Sequence, residues 1–230
     1  MIKDCDVKDR YSLYAITDRR YMIDIDIADA VEKAILGGAT CIQLREKAID
    51  KEAYVRLAIK IKAITQKHSI PLIINDDPEV ALLSQADGVH LGQSDTDIMF
   101  ARRMLGSDKI IGVTAHNVDE AVKAYNAGAD YLGVGACFTS GSKTDTIPLS
   151  YEELCRICRR VSIPVVAIGG IDITNITKLA GSGISGIACI AAIFDNPKEE
   201  ITKRTEELRK NVDMLRLYYG KEEEKDSNKL

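Results

Sequence analysis

The sequence has no apolar run approaching the ~18–20 residues that a membrane-crossing helix requires, so a transmembrane role is not expected. Its first ten residues, MIKDCDVKDR, are charged and carry no apolar core of the signal-peptide kind. Export through a signal peptide is therefore not expected, and a cytoplasmic location is. A basic excess is also missing: 31 Lys and Arg stand against 35 Asp and Glu, for a formal charge of -4. That balance offers no general nucleic-acid surface, and makes any local cluster of cations a feature of a site. Cysteine occurs six times, mostly in apolar segments where it behaves as a small hydrophobe. Cys155 and Cys158 form a C-x-x-C, but inside the helical stretch "SYEELCRICRR" and with no second pair, so reduced thiols are expected rather than a metal or redox centre. No linker divides the 230 residues.

What is present is an alternation of short apolar runs with amphipathic segments. The runs predict strands at 13–18, 41–47, 71–76, 88–93, 110–116, 131–136, 164–170 and 186–193. They are nearly continuous in apolar residues, as parallel strands covered by helices are. Between them, "DIADAVEKAILGGA" carries Ile27, Ala30, Val31, Ala34 and Ile35 on one stripe and stops at Gly37-Gly38. Eight strands with intervening helices predict a single (β/α)8 TIM barrel, α/β in class; a doubly wound open sheet is the alternative. A small-residue turn ahead of the second, fourth, sixth and eighth strands ("GGATCIQL", "QADGVHLG", "AGADYLGVG", "GSGISGIAC") favours the barrel. The expected boundaries are an extension over 1–10, the barrel over 11–212, and over 213–230 a helix end with a disordered polar tail.

In such a barrel, ligands bind where the strands end at their C-terminal side. Polar residues interrupt the apolar runs at those ends. They are Gln43, Arg45 and Lys47; Asn75, Asp76 and Asp77; His90, Gln93 and Asp95; Thr114 and His116; Ser140, Ser142 and Lys143; and Gly169-Gly170. Each has an ordinary explanation. A lone Arg is commonly a solvated charge, Asn75 to Asp77 before Pro78 read as a helix cap, His116-Asn117 as another, His68 as a helix end, and His90 as a core histidine. Their joint occurrence at six ends is what points to a site.

Within "CIQLREK", alternation sends Ile42 and Leu44 toward the helices and Gln43, Arg45 and Lys47 inward, while Glu46 points to the helical layer, where a Lys or Arg would pair it. Asp76 and Asp95 are placed to share a hard cation. Mg2+ favours one or two carboxylates plus phosphate oxygens, and Arg45, Lys47 and Lys143 supply positive charge for a diphosphate. A second phosphate position is expected at Gly169-Gly170 and the "CIAAIF" segment, through backbone amides.

The set "QLREK", "NDD", "HLGQSD", "GVTAH", "FTSGSK" and "AIGGI", in this order over residues 11–212, closely resembles the thiamine-phosphate synthase family. The resemblance implies a Mg2+-dependent transferase that joins hydroxymethylpyrimidine diphosphate to thiazole phosphate and releases diphosphate through a dissociative, carbocation-like substitution. It implies that Gln43, Arg45, Lys47, Asn75, Thr114 and Lys143 hold the pyrimidine diphosphate. Arg45, Lys47, Thr114 and Lys143 among them carry the chemistry, and Asp76 and Asp95 bind Mg2+. Ser140, Ser142, Gly170, Ile190 and Ala191 would hold the thiazole phosphate. The partners implied are small phosphorylated molecules, not nucleic acid or membrane, and self-association into a homo-oligomer is left open. The strand-six loop departs from the family pattern, with both prolines absent and both threonines replaced by serine. Two other functions compete. One is a thiazole tautomerase-like isomerase on the same barrel, whose catalytic His falls where this chain has Ala136. The other is a non-catalytic phosphate-ligand-binding barrel.

Overall fold

The computed structural model describes residues 9–139 and 148–227. Strands β1 (Leu13–Ile16), β2 (Cys41–Leu44), β3 (Leu72–Asn75), β4 (Gly88–Leu91), β5 (Ile110–Ala115), β6 (Tyr131–Val134), β7 (Val165–Ile168) and β8 (Gly186–Cys189) close into a parallel barrel in sequence order. Tyr14 pairs with both Cys41 and Ala188, which joins the first strand to the last. All eight expected strands are found, and the barrel prevails over the open sheet. The expected ends were too long, however. β2 stops at Leu44, so Arg45, Glu46 and Lys47 belong to a loop, and the expected eighth strand turns at Ile190 into a helix.

The helices are α1 (Ile27–Leu36), α2 (Lys51–Lys67), α3 (Pro78–Leu83), α4 (Ile98–Leu105), α5 (Val118–Asn126), α6 (Tyr151–Arg160), α7 (Ala191–Phe194) and α8 (Ile201–Ser227). The first six each begin behind an Asp, Asn or Ser whose side chain accepts a backbone N–H of the first turn: Asp26, Asp50, Asp77, Asp97, Asn117 and Ser150. Each cap satisfies a donor the helix cannot, a contribution of about 1 kcal/mol. Between β7 and β8 the connection is a 3-10 turn, Ile176–Leu179. α8 continues to Ser227, through most of the segment read from sequence as a disordered tail.

Alternation along the strands sorts the interior into two cores. Leu13, Ala15, Ile42, Leu44, Leu72, Ile74, Val165 and Ala167 face the helices. Tyr11, Tyr14, Ile16, Cys41, Ile73, Tyr131, Val166 and Ala188 fill the barrel. The inner core is aromatic: Tyr131 stacks on Tyr11 with ring centroids 4.6 Å apart and meets Tyr14 edge-on at 5.9 Å. Two glycines make room for the rings. A Cβ on Gly112 would lie 2.1 Å from Cζ of Tyr131, and one on Gly133 would lie 2.9 Å from Cε1 of His90.

Candidate active site

A cavity of about 790 Å3 opens at the C-terminal end of the barrel. Gln43, Arg45, Asn75, Thr114, Gly170, Ile190 and Ala191, seven of the residues proposed from sequence, line it. Lys47, Asp76 and Asp95 gather beside it. Asp76 follows Asn75, and its N–H donates to the carbonyl of His90, another lining residue, at 2.8 Å. Ser140, Ser142 and Lys143 lie outside the described residues.

The "NDD" turn divides its work between two carboxylates. Asp77 caps α3, accepting the N–H of Val80 at 3.0 Å. Asp76 has φ 66°, in the left-handed region that Asp tolerates better than most residues. Its side chain accepts Lys47 Nζ at 3.1 Å instead of serving the helix. Asp95 accepts the N–H of Gly92 at 2.6 Å. Burial raises the Asp95 carboxyl above its usual range, and the facing Asp76, with which it shares a hydrogen bond, raises it further. The Gly92 N–H and the Lys47 charge oppose that shift without cancelling it. Two acidic groups held this close repel unless a proton or a cation lies between them. Among the described residues no group of three or more His, Cys, Asp or Glu is arranged to hold a metal. A pair of carboxylates is nonetheless the protein share of a site that substrate oxygens and water complete.

Arg45 is fixed from behind. Asp18, at the end of β1 and 3% exposed, accepts Arg45 Nη1 at 2.7 Å and a fork from Arg20 at 2.7 to 3.2 Å. Burial alone would raise the Asp18 carboxyl, but the Arg20 hydrogen bonds and the charge of Arg45 hold it below the usual range. Glu46, unexplained by the sequence beyond the expectation of a basic partner, pairs with Arg19 at 2.7 Å and is 1% exposed. These contacts tie the loop after β1 to the loop after β2. Asp18→Asn is expected to raise KM for a diphosphate ligand about tenfold, ~1.4 kcal/mol, with a smaller change in kcat. Steady-state kinetics check this, and an unchanged KM removes Asp18 from the site.

Below the cavity runs a chain of polar contacts across the barrel. Gln43 Nε2 donates to Tyr14 Oη at 3.0 Å, Tyr14 Oη meets Tyr131 Oη at 2.9 Å, Tyr131 Oη meets His90 Nδ1 at 2.8 Å, and His90 Nε2 meets Thr114 Oγ1 at 2.9 Å. Burial pushes the His90 imidazole down to about 4, against the Asp95 charge, so the ring is neutral at pH 7. Tyr14, Tyr131 and Asp18 escaped the sequence reading. Asp18 carried the same mark as the others, a polar residue ending an apolar run. The tyrosines carried none, because Tyr within an apolar strand reads as core.

Other candidates resolve into ordinary roles. Asn117 caps α5, His116 pairs with Glu120 at 2.9 Å, and His68 stands at the C-terminal cap of α2. Ser150 caps α6, while Glu153 turns to the N–H of Val118 and to Arg156. The described cysteines are free, and burial pushes Cys158 up to about 12. No helix among the described residues is long and apolar enough to cross a membrane.

The sequence model of a family described as thiamine monophosphate synthase matches residues 13–193. A thiamine-phosphate synthase from Clostridium botulinum (strain Eklund 17B / Type B) is 47% identical over 205 residues, which cover 89% of this chain and 95% of that protein. One from Ruminiclostridium cellulolyticum is 46% identical over 198 residues, 86% of this chain and 93% of that protein. The solved structure of a thiamine phosphate pyrophosphorylase from Pyrococcus furiosus superposes with a TM-score of 0.83 at 36% identity, covering 90% of this chain and 98% of that one. With the sequence match spanning the barrel and relatives of this similarity over most of its length, the chain belongs to the thiamine monophosphate synthase family.

Proposed function

We propose that the protein is a transferase that joins hydroxymethylpyrimidine diphosphate to thiazole phosphate, giving thiamine phosphate and diphosphate. The observation that carries this reading is the meeting of Lys47, Asp76 and Asp95 beside a cavity that Arg45 also lines. That is the equipment for stabilising a departing diphosphate, and it adjoins a pocket deep enough for two ring systems. Asp76 and Asp95 would hold Mg2+, which when bound neutralises charge on the leaving group.

The chain's own residues divide the remaining work. Arg45, braced by Asp18, presents a planar fork to phosphate oxygens, and Lys47 a mobile point charge. Gln43, Asn75 and Thr114 hold the pyrimidine with its methylene carbon facing the second substrate. As the carbon–oxygen bond breaks, the bonding electrons leave with the diphosphate. The thiazole nitrogen then attacks the pyrimidine-stabilised cation, so no protein nucleophile is required. Gly170, Ile190 and Ala191 line the part of the cavity assigned to the thiazole phosphate. Catalysis on this account is positioning and charge stabilisation. Ala136, also a lining residue, offers no base where the isomerase would need one. The same reading places the enzyme in the cytoplasm, where free thiols stay reduced.

The test is to mix the purified protein with both substrates and Mg2+ and to follow thiamine phosphate and diphosphate. Stoichiometric appearance of the two is expected, and failure to form either overturns the assignment. In the same assay Lys143→Ala is expected to cut turnover at least tenfold, about 1.4 kcal/mol; a near-normal rate would remove Lys143 from the chemistry.

A further inference from the structure

The contact chain from Gln43 to Thr114 has a direction, and direction decides which hydrogen bonds its two ends offer a ligand. It has four gaps, each 2.8 to 3.0 Å wide, and each needs one proton. The first gap is filled from the Gln43 side, because its amide nitrogen faces Tyr14. Tyr14, already accepting there, has its own proton to give. Its available acceptors are the oxygen of Tyr131 and the thiol of Cys41 nearby, and sulfur is the weaker acceptor. Tyr131 then gives its proton to His90 Nδ1, and His90 gives its single ring proton, on Nε2, to Thr114. Thr114 keeps its hydroxyl proton for the cavity. At the other end Gln43 retains its carbonyl oxygen and one N–H.

We infer that Tyr14, Tyr131 and His90 are positioning residues that lock the Gln43 amide in one orientation and thereby select a 4-aminopyrimidine over its 4-oxo counterpart. The inference rests on the pyrimidine diphosphate reading given above. A 4-aminopyrimidine edge offers a donor, the amine, beside an acceptor, the ring nitrogen. The 4-oxo ring offers the reverse, a carbonyl beside N–H. An amide of fixed orientation matches one of these patterns and opposes the other, whereas an amide free to turn through 180° serves both. The energy that keeps Gln43 from turning is distributed along the chain. Reversing the amide would put an acceptor against Tyr14 and force every later proton to change sides, including the tautomer of a neutral, partly buried histidine. Specificity that depends on pairing buried polar groups is strong because a mismatch leaves those groups unpaired.

Two measurements test this. In the 15N-labelled full chain, His90 is expected to carry its proton on Nε2 and to have a bare Nδ1; a proton on Nδ1 overturns the proposal. The second is the ratio of kcat/KM for the aminopyrimidine diphosphate to that for its 4-oxo analogue, in the parent protein and in Tyr14→Phe and Tyr131→Phe. Each substitution is expected to lower the ratio at least tenfold while KM for thiazole phosphate changes less than twofold. A purely structural role for the tyrosines would lower thermal stability and leave the ratio alone, and a ratio unchanged in both variants overturns the proposal. Absence of any turnover by the parent protein counts against the synthase reading instead, and the histidine tautomer still decides the direction of the chain.

Discussion

Asp76→Ala is expected to lower kcat at least a hundredfold, about 2.7 kcal/mol of lost transition-state stabilisation, while the protein stays folded. The Lys47–Asp76 contact joins two exposed side chains and contributes little to stability. The α3 cap belongs to Asp77 and survives the change. What is lost is one of the two carboxylates that would share a divalent cation beside the diphosphate. Because the pair acts as a unit, the Asp76→Ala, Asp95→Ala double variant should be scarcely slower than either single one. Rapid-quench turnover with a Mg2+ titration reads this directly. A single variant within threefold of the parent at saturating Mg2+ would show that Asp76 is not a ligand.

Gly170→Val is expected to fail in a different way, losing stability and the thiazole-phosphate subsite together. Gly170 has φ +62°, and a Cβ there would lie 2.7 Å from the carbonyl oxygen of Thr139 and 2.9 Å from that of Phe138. A β-branched residue in the left-handed region costs roughly 1–2 kcal/mol, and forcing atoms into a filled space adds about 1–3. For a chain of this size about 3 kcal/mol corresponds to a drop in Tm of roughly 6–12 °C. KM for thiazole phosphate should rise at least tenfold. Differential scanning calorimetry and steady-state kinetics report the two effects separately, and an unchanged Tm would contradict the backbone geometry.

The strands were legible because both faces of a parallel barrel strand are covered, which leaves near-continuous apolar runs such as Leu72 to Ile74. Their ends were not, since polarity does not reveal where a ladder stops. Arg45 and Lys47 alternate like strand residues, yet the chain has left the sheet by Leu44 and is on its way to the Asp50 cap. The site was legible wherever a polar residue broke an apolar run. It was hidden where function sits in contacts between distant strands. Nothing near Tyr14 in sequence indicates Tyr131, 117 residues away, and nothing near Arg45 indicates Asp18, although the two carry opposite charges 2.7 Å apart.

The floor of the cavity is measured out by atoms that are missing. Tyr131 lies where a methyl on Gly112 would be, and His90 leans into the space above Gly133. Any side chain at either position lifts a ring toward the ligand and makes the pocket shallower, with no contact residue changed. The size of the ring system this barrel accepts is thus set one layer beneath the binding surface. Divergence at Gly112 or Gly133 would change substrate range while every residue that touches substrate stayed the same.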